Sequence, residues 1–280
     1  MSGNPTVEGL ATCATLHNGV QMPWLGLGTW QASDDEAAAA VSAALDVGYR
    51  HIDTAAVYRN ERGVGRAIVE HAVGRDAVFV TTKVFNDEIK RGAKATRQAL
   101  EASLKRLGLE HVDLVLLHWP VSGRLEAWGA LEEAYDAGLA RAIGVSNFMV
   151  DHLEELIAAA RIKPMVNQVE FHPWLVQPEL MRYCREQQIQ HEGWSPLMKG
   201  RISEVQELER IGQVHGKSPA QVAIRWALQH GSVTIPKSVR RERIAENADV
   251  YDFDLPEAEM QAIDALDRGQ RLGPDPYTMT

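Results

Sequence analysis

An α/β fold, a (β/α)8 or TIM barrel preceded by a β-hairpin, is predicted by three observations on the 280-residue chain. Short apolar runs alternate with amphipathic segments of helical period over most of its length. Counted from Leu25, the apolar runs number eight, the count that closes such a barrel. The linkers between them are too brief to be domain boundaries, so residues 1–280 read as a single domain.

The first residues are polar and are expected to be loose. Thr12–Leu16 and Val20–Met22 then flank His17-Asn18-Gly19, where Asn-Gly is a strong hairpin turn signal. Trp24–Trp30 reads as a short buried strand, and Ser33 as the cap of an alanine-rich helix running to Val47. The alternation continues with a strand at His51–Asp53, a helix at Glu61–His71 and a strand at Ala77–Lys83. Gly92–Leu107 has helical periodicity, Val112–Leu117 is a continuous apolar run, Glu126–Ala137 is helical, and Ala140–Val145 is a strand. Helices at Asp151–Ala160 and Pro178–Gln187 frame a strand at Met165–Glu170. A strand at Ile189–Trp194, helical stretches within 203–229 and a last strand at Val233–Pro236 complete the count.

The competing architecture is a doubly wound open sheet, which carries a glycine-rich turn between its first strand and helix. Gly63-Val64-Gly65 stands at a helix start and has Ile68 where a third small residue is required, so that fingerprint fails. Gly212 to Ser218 resembles a phosphate-binding P-loop with one intervening residue too few. Gly216 fits a helix end, Ser218 an N-cap and Pro219 the first turn of the next helix.

With 45% hydrophobic and 24% charged residues, the composition is ordinary for a globular chain, long enough to bury roughly 75% of its unfolded surface without metals or disulfides. A net charge of -9 disfavours general affinity for nucleic acid, so an anionic ligand needs a local basic site. Cys13 and Cys184 form no metal pair or disulfide framework, and no basic-then-apolar leader opens the chain. A cytoplasmic protein with reduced thiols is expected. No apolar run approaches the roughly 20 residues of a membrane helix.

In a barrel, catalytic groups come from the carboxyl ends of the strands and the loops that follow. Asp53 ends the second strand, Tyr58 lies in the loop after it, Lys83 ends the third strand and His118 ends the fourth. Each has a bland alternative: a turn cap, a rim aromatic, a solvated lysine, a hydrogen-bonded core histidine. Together they are harder to dismiss. A lysine directly after Phe79-Val80-Thr81-Thr82 is forced towards the interior, where an unpaired ammonium is costly unless a carboxylate such as Asp53 answers it.

These residues lie in motifs that resemble the aldo-keto reductase family over nearly the full chain. The matching stretches are Gly48-Tyr49-Arg50-His51-Ile52-Asp53-Thr54-Ala55 with Tyr58 and Asn60-Glu61, Thr81-Thr82-Lys83, and Leu117-His118-Trp119-Pro120. Gly144-Val145-Ser146-Asn147, Asn167-Gln168-Val169-Glu170 and Ile235-Pro236-Lys237-Ser238-Val239 add three more. Trp194-Ser195-Pro196-Leu197 and the run from Pro236 to Arg243 resemble the bacterial branch of 2,5-diketo-gluconate and glyoxal or methylglyoxal reductases.

The resemblance implies NADPH-dependent carbonyl reduction by a tetrad of Asp53, Tyr58, Lys83 and His118, with no metal. Tyr58 would protonate the developing alkoxide, Lys83 would lower the pKa of Tyr58, and Asp53 would hold Lys83 in place. His118 would donate a hydrogen bond to the substrate oxygen.

The resemblance also places the cofactor across the barrel mouth, with Gly28, Thr29, Trp30 and Asp53 beside it. Ser146, Asn147 and Gln168 match positions that hydrogen-bond the nicotinamide carboxamide, and Trp194 matches the aromatic that stacks on its ring. Ser195, Pro196 and Leu197 would follow the pyrophosphate. Lys237, Ser238, Val239 and Arg243 would surround the adenosine 2′-phosphate, and Glu246 and Asn247 would contact adenine. The run from Lys237 to Arg243 is the densest basic cluster of an acidic chain; at a helix start it opposes the helix dipole, so a bound phosphate gives it a purpose. NADPH is therefore expected over NADH.

Trp30, Phe85 and Trp119 follow the first, third and fourth strands and could wall a substrate pocket with Tyr58 and His118, though each could also be core. The short connection after His118 and the short tail after Asp267 predict an open, shallow pocket for small aldehydes, α-dicarbonyls and keto-sugars, and a monomer is expected. Arg59 stands where many relatives have glycine. Two other readings are weighed and disfavoured: a metal-dependent barrel hydrolase using His51, Asp53, His118 and His172, since no further histidine pair follows at ligand spacing, and a nucleotide-sensing binding subunit with little turnover, against which the complete tetrad argues.

Overall fold

Asn18-Gly19 turns the chain with Gly19 at φ +88°, pairing β1 (Cys13–Thr15) antiparallel with β2 (Gln21–Pro23). The hairpin tip reaches the start of two barrel strands: Asn18 Nδ2 donates to the Arg141 carbonyl, and His17 Nε2 lies 3.2 Å from that of Lys163. It therefore closes the amino-terminal end of the barrel and leaves the opposite end as the mouth. The computed structural model describes residues 7–279. The loose ends expected of the opening residues fall largely on 1–6, outside that range.

Eight parallel strands follow in sequence order: β3 (Leu27–Gly28), β4 (His51–Asp53), β5 (Phe79–Val84), β6 (Val112–Leu117), β7 (Ala140–Ser146), β8 (Val166–Glu170), β9 (Gln190–Trp194) and β10 (Val233–Thr234). Parallel bridges from Leu25 to Thr234 and from Gly28 to Lys237 join the first strand to the last and close the cylinder. The first and last strands are shorter than their apolar runs because pairing at the seam is carried by these isolated bridges.

Helices α1 (Asp34–Val47), α2 (Glu61–Glu70), α3 (Asn86–Lys90), α4 (Ala93–Leu107), α5 (Arg124–Asp136), α6 (Val150–Ala159), α7 (Pro178–Glu186), α8 (Gln206–His215), α9 (Pro219–Gln229), α10 (Arg241–Ala248) and α11 (Glu257–Asp264) follow in chain order. Ser33 and Glu36 form a reciprocal capping box at the start of α1. The stretch that resembles a P-loop is a helix junction: Gly216 ends α8 at φ +65°, and Ser218 caps α9 with Pro219 in its first turn. Gly63 and Gly65 serve packing, since a Cβ at either would stand 1.9 Å from the Asp34 or Leu107 carbonyl oxygen. The short helices α3, α10 and α11 were not resolved by periodicity because each spans three turns or fewer.

Apolar side chains between barrel and helices make the main core; a second cluster beneath α8, α9 and α11 centres on Phe171 and Trp226, stacked at 4.6 Å. Among the described residues, no helix is long and apolar enough to cross a membrane.

Candidate active site

Strand residues two apart share a face, so the inward positions of β4 are His51 and Asp53 and those of β5 are Thr81 and Lys83. Gln168 on β8 stands in register with Glu192 on β9, and both turn inward. The upper interior of the barrel is thus polar where branched apolar layers are the norm.

Lys83 is fully buried, and its ammonium donates to Asp53 Oδ1 at 2.6 Å, to Asp53 Oδ2 at 2.7 Å and to the Thr54 carbonyl at 3.0 Å. All three protons have acceptors. Burial works most strongly against the charge, but Asp53, by its charge and hydrogen bond, acts together with Tyr58 and Glu192 to hold the Lys83 pKa above its ordinary value. Thr29 supports the arrangement by donating from its hydroxyl to the Asp53 carbonyl at 2.9 Å.

Tyr58 ends a short 3₁₀ turn, Ala56–Tyr58, and Arg59 follows in the left-handed region at φ +59°. That conformation favours glycine, so Arg59 holds a strained backbone directly behind the phenol. The Lys83 ammonium lies 5.1 Å from the centre of the Tyr58 ring. Burial pushes the phenol pKa up, and Lys83 pulls it down without reversing the shift. Lys83 acts in the expected direction, but burial outweighs it, so the net shift is upward and Tyr58 carries its proton at neutral pH.

His118 is buried with its ring edge-on to Tyr58 at 5.9 Å and to Phe85 at 5.7 Å, and stacked over Trp119 at 6.4 Å. Burial first, then the Lys83 charge, hold it well below the usual histidine range. The imidazole is neutral and can present one N–H donor. A protonated phenol and a neutral imidazole at the mouth can both hydrogen-bond a single oxygen, and the fixed ammonium beside the phenol can stabilise the phenolate that proton transfer leaves.

On the opposite side of the mouth, Ser146, Asn147 and Gln168 are joined to one another and to the tetrad. Ser146 Oγ donates to the Gln168 carbonyl at 2.8 Å, and Asn147 Nδ2 donates to the His118 carbonyl at 3.0 Å. Asn147 Oδ1 accepts from Trp194 Nε1 at 2.9 Å, which fixes the half-buried indole. Gln168 Nε2 donates to Asp53 Oδ2 at 2.8 Å and to Glu192 Oε2 at 2.9 Å. The chain leaves β9 through Ser195 at φ +58°, buried Pro196 and half-buried Leu197.

Across the seam, Gly28 bridges Lys237, and Trp30 is 41% exposed with the Lys199 ammonium 5.2 Å from its ring. Trp30 is therefore a rim residue. Lys237, Val239 and Arg243 are exposed, while Ser238 is buried and accepts from the Arg240 amide at 3.1 Å. Arg241 pairs with Asp46 at 2.9 Å, whereas among the described residues no carboxylate lies in ion-pair reach of Lys237, Arg240 or Arg243. Asn247 is buried, and exposed Glu246 accepts from the Ser218 hydroxyl at 2.6 Å.

The aldo/keto reductase family model matches residues 24–268, nearly all of the barrel just described. The chain belongs to the aldo/keto reductase family. Its sequence is 54% identical over 263 residues to the glyoxal reductase of Bacillus subtilis, covering 93% of this chain and 95% of that protein. It is 46% identical over 278 residues to the methylglyoxal reductase DkgA of Escherichia coli, covering 98% of each. Among solved structures, the Bombyx mori aldo-keto reductase in complex with NADP superposes with a TM-score of 0.89 at 35% identity, covering 94% of this chain and 95% of that one.

Two features of this aldo/keto reductase escaped the sequence. Its tail is short, as read, yet lies against the mouth: the Leu272 and Gly273 amides donate to buried Glu170 at 2.7 and 3.0 Å, and a Cβ on Gly273 would stand 2.4 Å from the Trp194 ring. Residues 272–273 therefore flank the mouth on its β8–β9 side, where loops too short to reach it were expected. Glu192 was also missed, although an acid in the middle of a buried strand is itself a signal. Of the aromatics, Trp119 is core and Phe85 half-buried against His118. His172, a ligand in the hydrolase reading, is paired with Glu170 at 3.1 Å, and among the described residues no group of three or more His, Cys, Asp or Glu could hold a metal.

Proposed function

We propose that this enzyme is an NADPH-dependent reductase of small aldehydes, α-dicarbonyls and keto-sugars, with Tyr58 as general acid. The observation that carries the reading is the Lys83 ammonium, locked by both Asp53 oxygens and set 5.1 Å from the Tyr58 ring, beside a neutral His118. Bound NADPH supplies the hydride that reduces the carbonyl carbon. Tyr58 protonates the oxygen, His118 orients it with one hydrogen bond, and Lys83 stabilises the phenolate left behind. Asp53 keeps the ammonium in place.

The residues present fit such a cofactor. Lys237 and Arg243, with no carboxylate at ion-pair distance among the described residues, stand just before and in the first turn of α10, where a phosphate dianion would satisfy both cations and the helix terminus. Ser146, Asn147 and Gln168 form the polar side of the nicotinamide end, with Trp194 as the stacking face. Ser195, Pro196 and Leu197 line the path between the two ends, and Glu246 and Asn247 the adenine side.

The relatives named glyoxal and methylglyoxal reductases support a small carbonyl substrate, and Phe85 beside His118 and Trp30 at the rim are the aromatics left to wall it. Residues 1–280 act as a single-domain monomer in the cytoplasm; the acidic net charge and two unpaired cysteines support this. The test is consumption of NADPH with methylglyoxal by the wild type and by Tyr58→Phe. Tight NADPH binding without turnover of any carbonyl would favour a binding subunit, and unchanged turnover in the variant would refute Tyr58 as the acid.

A further inference from the structure

Beneath the tetrad the barrel holds a carboxyl that the reaction as described does not use. Glu192 is fully buried at the middle of β9. Its Oε2 accepts from Gln168 Nε2 at 2.9 Å, and the same nitrogen donates to Asp53 Oδ2 at 2.8 Å. An amide nitrogen has two protons, and both are committed to carboxyl oxygens. One acceptor would locate the nitrogen; two also fix the plane of the amide. Gln168 Oε1 is thereby aimed away from both carboxyls, as the one polar atom that this side chain keeps free.

The other oxygen of Glu192 has no hydrogen-bond partner and lies 3.7 Å from His51 Nε2. His51 is itself 3.2 Å from Thr81 Oγ1 and is held neutral by burial, at a pKa of about 4. The charged or titratable groups facing Glu192 are His51 and Asp53 from β4, Lys83 from β5 and Tyr58 from the loop above. From β8 comes Gln168, and β10 sets Val233 in register with Glu192; neither ionises. Burial first, then the Asp53 carboxylate, push Glu192 up to about 8, so it holds a proton at neutral pH and gives it up in mild alkali.

We propose that Glu192 is a positioning residue for the nicotinamide end of the cofactor: it pins the Gln168 amide from below and makes the site responsive to the charge on the nicotinamide ring. The proposal rests on the reading of Gln168 as the carboxamide contact. The oxidised ring is cationic and the reduced ring neutral. A second negative charge beneath the site therefore favours NADP⁺ over NADPH, and it appears only when Glu192 ionises. The 2′-phosphate and pyrophosphate are common to both forms and cancel in the ratio of their dissociation constants. Tyr58 and Lys83 have raised pKa values and His51 and His118 lowered ones, which leaves Glu192 to change charge in this window.

The experiment measures the dissociation constants of NADP⁺ and NADPH, by quenching of tryptophan fluorescence, for the wild type, Glu192→Gln, Glu192→Leu and Gln168→Ala. For the wild type, the ratio of the NADP⁺ to the NADPH constant falls by about tenfold between about pH 7 and about pH 9. Glu192→Gln keeps an acceptor for Gln168 but cannot ionise, so its ratio stays flat while its affinity at neutral pH is preserved. Glu192→Leu removes the acceptor too; its ratio is flat and both forms bind several-fold more weakly. A merely structural Glu192 would change affinity without changing the pH dependence of the ratio. A Glu192→Gln ratio that tracks the wild type across pH overturns the proposal. If Gln168→Ala leaves NADPH affinity unchanged, the carboxamide assignment fails and takes the proposal with it. If Gln168→Ala weakens NADPH about tenfold while Glu192→Gln keeps the wild-type pH dependence, only the role of Glu192 is lost.

Discussion

The floor of the barrel mouth and its basic rim handle charge in opposite ways. At the floor, Lys83 is fully buried and all three of its protons are accepted by Asp53 and Thr54. At the rim, Lys237 and Arg243 are exposed and, among the described residues, have no carboxylate within ion-pair distance. The floor is complete before anything binds, so its electrostatic work costs no reorganisation during the reaction. The rim is complete only with an anion in it. Chemistry should therefore depend on the floor and cofactor choice on the rim, and variants at the two places should separate turnover from affinity.

The largest effect is expected from Lys83→Met, which leaves the Asp53 carboxylate buried and uncompensated. It should cost about 3–5 kcal/mol of stability, read as a denaturant midpoint, and lower carbonyl turnover by at least about 10²-fold. His118→Ala removes a neutral donor and no charge, so kcat/KM should fall by about 10²–10³-fold while NADPH affinity holds. Arg243→Ala should do the reverse: the NADPH dissociation constant rises about tenfold, the NADH constant and kcat stay put, and the difference shrinks as salt is added. Equal dissociation constants for NADPH and NADH in the wild type would remove the rim from the account.

A separate effect, on neither turnover nor cofactor affinity, is on stability against pH. Glu192 has a pKa of about 8 in the folded chain against an ordinary 4.5, so the folded state holds a proton that the unfolded state has released. Its contribution is fully present below pH 4.5 and is lost as the pH rises through about 8. Melting temperature should therefore decline less over that range in Glu192→Gln than in the wild type. His51 works in the other direction: its pKa is lowered to about 4 from 6.5, so its contribution is present above 6.5 and lost as the pH falls through 4.

The same contrast separates what the sequence made legible from what it concealed. The strands from His51–Asp53 to Gln190–Trp194 were readable because each is a buried run ended by a turn or helix signal, and Asp53, Lys83 and His118 stand at or just past strand ends. The seam was harder: Leu27–Gly28 and Val233–Thr234 pair partly through isolated bridges, and pairing leaves no mark on composition. The sign of the Tyr58 shift was not legible because it is a balance between burial and Lys83, and burial of a loop residue depends on contacts distant in sequence. Glu170 and Glu192 share that origin. Their partners, Leu272, Gly273 and Gln168, lie 102, 103 and 24 residues away, beyond any local pattern.

The central claim is that the floor, through Tyr58, delivers the proton. It is tested most directly by the single-turnover rate of methylglyoxal reduction at saturating NADPH, wild type against Tyr58→Phe. The account predicts a fall of about 10²–10⁴-fold, with the NADPH dissociation constant and melting temperature unchanged. A variant rate equal to that of the wild type would contradict it.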